Sequence, residues 1–183
     1  MLKKINLPNR LTLLRILMVP LLIACFYLKV SWWSYAAALI FVLAYLTDML
    51  DGKIARKRNQ VTSFGKLMDP MADKLLSVSA LVMLTAFDLL NPIATIIIVA
   101  REFFISAFRL VAVEKGVVIA ASWMGKLKTV SQFLAITMVL LHDLVLRIFG
   151  FPLDMVIVWI SVFLTVVSGV DYVLKNKGTI SLE

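Results

Sequence analysis

The sequence predicts an all-α, polytopic membrane protein: six transmembrane helices with a short N-terminal amphipathic segment, forming a single domain over residues 1–183. Three observations predict it. The chain has 183 residues and is 62% hydrophobic, against roughly 45–50% in soluble domains, more apolar surface than a fold of this size can hide from water. Its apolar residues gather into six runs, each near the ~20 residues that cross a bilayer core as a helix. Its cations are distributed unevenly between the loops that separate those runs.

The elements follow in order. MLKKINLPNRLT mixes lysines with Leu2, Ile5 and Leu7, a pattern suited to a helix lying on the membrane surface. The first apolar run, about 11–28, is longer than a signal-peptide core and lacks a small-x-small cleavage site, so it is expected to remain as a membrane helix. Cys25, the sole cysteine, lies inside it and reads as a small buried hydrophobe. Trp32, Trp33 and Tyr35 suit an aromatic belt before the second run, about 34–56. The third run spans about 67–87, the fourth about 92–113, the fifth about 123–142 and the sixth about 152–173. Asn91-Pro92, Gly116 and Gly150 with Pro152 supply the breaks between them. His142 and Asp143 read as a solvated turn at the outer edge, and Trp159 and Tyr172 as ordinary packing. Backbone groups in lipid must pair within their own segment, so all six runs are expected to be helices.

The net charge of +8 would suit nucleic acid in a soluble protein, but here the basic residues flank apolar runs and no soluble basic segment exists. With six spans, one side collects seventeen lysines and arginines while the other keeps Lys29 and Arg147. The positive-inside rule then places both termini, and the segment between the second and third runs, in the cytoplasm.

That segment, DMLDGKIARKRNQVTSFGKLMDPMAD, carries four aspartates. Asp48 and Asp51 are three apart, and Asp69 and Asp73 four apart, so each pair shares one helix face. A short connection, roughly Arg58 to Phe64, makes the two helices antiparallel neighbours and brings the pairs to one depth. Pro70 is expected in the first turn of its helix, where its missing N–H is harmless. Four adjacent carboxylates cannot all remain ionised without cations. Lysines and arginines could neutralise them as a salt-bridged cap. Hard divalent ions (Mg²⁺, Mn²⁺ or Ca²⁺) fit the oxygen-only donor set better, and four carboxylates can bridge two of them. Gly52 and Gly65 would leave room beside the carboxylates or allow close helix packing, and Arg56 adds a planar cation suited to phosphate.

The pattern is D-x-x-D-G-x-x-A-R-x(8)-G-x(3)-D-x(3)-D, from Asp48 through Asp51, Gly52, Ala55, Arg56, Gly65 and Asp69 to Asp73. In it the chain resembles the CDP-alcohol phosphotransferase family, without departure from that family's signature. The resemblance implies a membrane enzyme that moves a phosphoalcohol group from a CDP-linked donor to a hydroxyl and releases CMP. It implies two divalent cations, Mg²⁺ or Mn²⁺, on Asp48, Asp51, Asp69 and Asp73, with Asp73 also the general base. Asn9, Thr12, Gly52, Arg56, Thr62 and Gly65 would meet the cytidine diphosphate, with Asn9 and Thr12 just before the first span. A homodimer in a bacterial inner membrane is implied as well, with no nucleic-acid partner. Thr12, Ser63 and Ser122 are expected to bond or pack rather than to act as nucleophiles.

A second cationic set bears on the acceptor. Arg101 and Arg109 are eight residues apart in VAREFFISAFRL, on nearly one face, and Lys126 lies in SWMGKLKT. Intramembrane charges are costly unless they face a polar site. Three cations suit an acceptor carrying its own phosphate, and the chain's likeness to family members favours sn-glycerol 3-phosphate with CDP-diacylglycerol as donor. The product would be phosphatidylglycerophosphate, at the first committed step toward phosphatidylglycerol and cardiolipin. Glu102 is expected to pair with one of the arginines, and Lys115 and Lys128 to snorkel toward headgroups. Inositol phosphate or phosphatidylglycerol are the alternative acceptors. A cation transporter is the reading from another class, disfavoured because the aspartates gather at one end of the spans.

Overall fold

The six apolar runs all fall on helices in a computed structural model of the chain. The structure describes residues 7–58, 63–117, 119 and 122–176, with side chains over 13–47, 74–117, 119 and 122–176. Among the described residues the regular structure is helical throughout: α1 (Leu7–Phe26), α2 (Trp33–Arg58), α3 (Ser63–Ala86), α4 (Pro92–Glu114), α5 (Trp123–Leu140), α6 (His142–Phe149) and α7 (Leu153–Asn176). They form two compact units, residues 1–86 and 87–183.

In the first unit α1 packs along both α2 and α3, which also meet each other. Val19, Leu22, Cys25 and Phe26 of α1 are buried with Ala37, Ala38, Phe41 and Ala44 of α2 and with Leu76, Ala80, Leu81 and Leu84 of α3. The alanines let the backbones approach closely, as small residues do between membrane helices. Phe26 and Trp33 close the α1–α2 turn with their rings 5.1 Å apart. Trp32 and Tyr35 point outward, as an aromatic belt requires. Arg15 is 1% exposed, the one buried charged side chain among this unit's described residues.

In the second unit α7 packs against α4, α5 and α6. α4 starts on Asn91, whose side chain accepts from the Ile93 N–H at 2.9 Å, with Pro92 at the first helical position. It ends where Gly116 takes φ 75° and Val117 N–H reaches back to the Ala112 carbonyl at 2.8 Å, a Schellman stop. Ser122 caps α5 by accepting from Gly125 N–H at 3.1 Å, a hydrogen-bonding role as expected. Gly150, at φ 72°, ends α6.

Several expectations change. α1 begins at Leu7, so Asn9 and Thr12 lie in its first two turns, ahead of the apolar stretch Leu13–Phe26; residues 1–6 of the proposed surface segment lie outside the described residues. α3 begins at Ser63, so Pro70 sits two turns inside rather than in the first turn. His142 and Asp143 open a helix instead of a solvated turn. Asp143 is exposed, but His142 Nδ1 lies 2.6 Å from Oδ2 of Asp154, which is fully buried. A buried carboxylate demands a partner, and the nearby imidazole meets that demand. Trp159 is 48% exposed on the outward face of α7 rather than packed. Among the described residues α7 alone is long and apolar enough to cross a membrane; α5 and α6, meeting at 90°, would make a second such span if they act as one.

Candidate active site

The aspartates occupy the facing ends of two helices joined by four residues. Asp48 lies ten residues before the end of α2 and Asp73 ten after the start of α3; Asp51 lies seven before and Asp69 six after. Asp48 and Asp51 thus lie on the last three turns of α2, and Asp69 and Asp73 on the first three turns of α3. Gly52 and Arg56 follow on the last turns of α2, and Gly65 lies in the first turn of α3. Thr62 falls outside the described residues. Four aspartates within 26 residues, with no histidine or cysteine between residues 48 and 73, are a donor set that fits hard divalent cations rather than zinc.

The cations of the second unit are organised by α7. Besides Val162, its buried residues run Asp154, Val158, Ser161, Thr165, Ser168, Tyr172, a spacing of three and four that keeps one side of the helix against its neighbours. Five of those six positions are polar or carry a hydroxyl. Arg101 NH2 donates to Ser168 Oγ at 3.1 Å, and Ser168 in turn donates to the Thr165 carbonyl at 3.1 Å. Eight residues along α4, Arg109 Nε donates to the Tyr172 hydroxyl at 3.2 Å with its guanidinium 5.5 Å from the tyrosine ring. The two arginines expected on one face thus reach successive turns of α7. Gly169 accommodates the Arg101 stem: a Cβ there would stand 3.4 Å from the Arg101 Cγ.

Glu102 pairs as expected, but with two partners. Its Oε1 lies 3.8 Å from Arg101 NH1 and also accepts from Lys128 Nζ. Lys128 therefore does not snorkel. It is 1% exposed, held inside the unit because a buried ammonium is tolerable only when paired and hydrogen-bonded. Lys126, two residues earlier and so on another face of α5, is exposed, as is Lys115. The structure brings Arg101 and Arg109 to one face of α4 and leaves Lys126 away from the Glu102 cluster. Ser168, Tyr172 and Lys128 were not singled out from the sequence as site residues. The three-four spacing of polar residues along α7 is the signal that could have found the first two.

Comparison with known proteins bears on the aspartate motif directly. The family model for CDP-alcohol phosphatidyltransferase matches residues 5–167. The chain belongs to the CDP-alcohol phosphatidyltransferase family. The matched region contains all four aspartates and Arg101, Arg109, Glu102 and Lys128, while Ser168 and Tyr172 lie just past it. The chain is 41% identical to the CDP-diacylglycerol–glycerol-3-phosphate 3-phosphatidyltransferase of Bacillus subtilis, covering 93% of this chain and 95% of that one. It is 41% identical to the protein of the same name from Rickettsia felis, over 91% and 93% of the two chains. The Escherichia coli K12 protein of that name is 43% identical over 74% of this chain and 76% of its own.

Proposed function

We propose that this family member transfers the phosphatidyl group of CDP-diacylglycerol to sn-glycerol 3-phosphate, giving phosphatidylglycerophosphate and CMP. The observation that carries the reading is the alignment of the chain, over more than nine-tenths of its length, with relatives named for that reaction, in a sequence that carries the four-aspartate motif on two successive helices. The acceptor's 1-hydroxyl oxygen attacks the β-phosphorus of the donor in line. As the new P–O bond forms, the bond to CMP breaks, and Asp73 takes the hydroxyl proton as general base. Asp48, Asp51, Asp69 and Asp73 would hold the divalent cations, Mg²⁺ or Mn²⁺, which when bound would neutralise the diphosphate and the charge that builds on leaving CMP. Asn9, Thr12, Gly52, Arg56, Thr62 and Gly65 receive the cytidine diphosphate. Arg101 and Arg109 receive the acceptor's phosphate, with Lys126 as a third cation.

This reading takes both units as one membrane domain with six spans, the aspartates and both termini cytoplasmic, in a bacterial inner membrane and as a homodimer. Its support is the seventeen-to-two cation distribution and the large apolar side chains on outward helix faces, among them Leu17, Leu39, Phe103, Val130 and Phe163. An anion-binding face would serve inositol phosphate or phosphatidylglycerol too, so the acceptor is the point to test. Purified protein with CDP-diacylglycerol, Mg²⁺ and a panel of acceptors should release CMP with sn-glycerol 3-phosphate and not with serine or free inositol. Release stimulated by inositol phosphate or phosphatidylglycerol instead would replace the acceptor while retaining the family chemistry.

A further inference from the structure

We infer that Glu102 and Lys128 form a positioning pair that sets Arg101 for an anionic acceptor, so that acceptor affinity depends on two residues that need not touch the acceptor. The inference rests on the functional reading above. Lys128, on α5, is 1% exposed, and its ammonium is taken by Glu102, so it is not free to meet a ligand. Glu102 shares the same oxygen with Arg101 at 3.8 Å. On its other edge Arg101 is tied to Ser168 of α7 at 3.1 Å. The guanidinium is therefore hydrogen-bonded to α7 on one edge and held by a longer ion pair, itself anchored on Lys128 of α5, on the other, yet its Nε donor is buried without an acceptor in the protein. A guanidinium held this way has little rotamer freedom left to lose when it binds, which is how a preorganised site gains affinity.

The charges agree with this role. Among the described residues that meet Glu102 or Tyr172, Arg101, Arg109 and Lys128 against the one carboxylate leave a surplus of two positive charges, before the exposed Lys126 is counted. A phosphomonoester carries about −1.5 to −2 at neutral pH, which matches that surplus. An unpaired Lys128 would add a third charge, and an unpaired Glu102 would compete with the ligand for Arg101. Paired, each cancels the other and Arg101 stays available.

The test compares wild type with the Glu102→Gln/Lys128→Gln double variant, with Glu102→Asp, and with the double variant placed on Arg101→Ala. Two quantities are read: KM for each substrate, and the dissociation constant of inorganic phosphate by ³¹P NMR, which needs no turnover. The double variant is expected to raise both acceptor KM and phosphate Kd by about tenfold while donor KM moves by less than about twofold. Glu102→Asp keeps the charges and shortens the arm, and should raise both by about threefold with an unchanged melting temperature, so it decides the matter if the double variant does not fold. On Arg101→Ala the added substitutions should change phosphate Kd by less than about twofold, because the pair acts through that arginine. Unchanged phosphate Kd in a folded variant, or the same rise with and without Arg101, would overturn the inference. Failure of wild type to use sn-glycerol 3-phosphate would instead count against the proposed function and leave the phosphate measurement to judge the pair.

Discussion

The two units bury different chemistry. Among the described residues, the interior of the first is aliphatic, aromatic and small, with Arg15 its one charged member, and its acidic residues sit on helix ends toward the turn. The second buries Lys128, Gln132, Asp154, Ser161, Thr165 and Ser168 at 6% exposure or less, with Tyr172 beside them. An apolar bundle with polar ends needs only packing to hold, and its site lies where the chain turns. A bundle with polar residues along its seam must satisfy them across helices, and its site is built from those pairings. The difference teaches that an acidic cluster can be supplied by neighbouring segments of chain, while a paired polar seam is assembled from distant ones.

The largest effect should come from the first unit. Asp73→Asn is expected to cut kcat by about 10³-fold, the scale of a lost general base, while donor binding persists; Asp48→Asn should lower activity and raise the divalent-cation concentration required together. Turnover within tenfold of wild type for Asp73→Asn would remove the base assignment and with it the division of labour between the units. Next comes the anion face. Arg109→Ala should raise acceptor KM by about tenfold, the loss of one or two charge-assisted hydrogen bonds, and donor KM far less. Tyr172→Phe, which removes only the hydroxyl that accepts from Arg109, should do the same at about threefold. A larger change in donor than in acceptor KM would move α4 out of the acceptor's reach. The smallest catalytic effect is expected at the start of α7, at the other end of that helix from Tyr172. His142→Ala strips buried Asp154 of its partner, and should lower the melting temperature at a cost below the ~3–5 kcal/mol of a fully buried broken pair, since His142 is 34% exposed. The KM values should hold. A kinetic change without a stability change would extend the functional seam to the far end of α7.

Legibility in the sequence differed between the units for the same reason. The aspartates stand at separations of three and four on two successive helices, so the face each pair shares was readable from spacing alone. Breakers at Asn91, Gly116 and Gly150 were equally readable, because capping is chemistry of neighbouring residues. Pro70 was misjudged because α3 begins four residues before the apolar run does, its opening turns being polar. Lys128 was misjudged because its separation from a helix end suggests snorkelling, whereas its environment is decided by Glu102.

By itself the sequence determined the apolar runs that become helices, most of the breaks between them and the three- and four-residue spacing of the aspartates, along with the resemblance to a family that shares the motif. Only the tertiary structure decided that Lys128 rather than Lys126 meets Glu102, that Arg101 and Arg109 rest on Ser168 and Tyr172, and that Asp154 is answered by His142. Helical periodicity is written in separations of three and four residues. The pairings join residues 12 to 67 positions apart, and which of many polar side chains meet at that range depends on how whole helices pack.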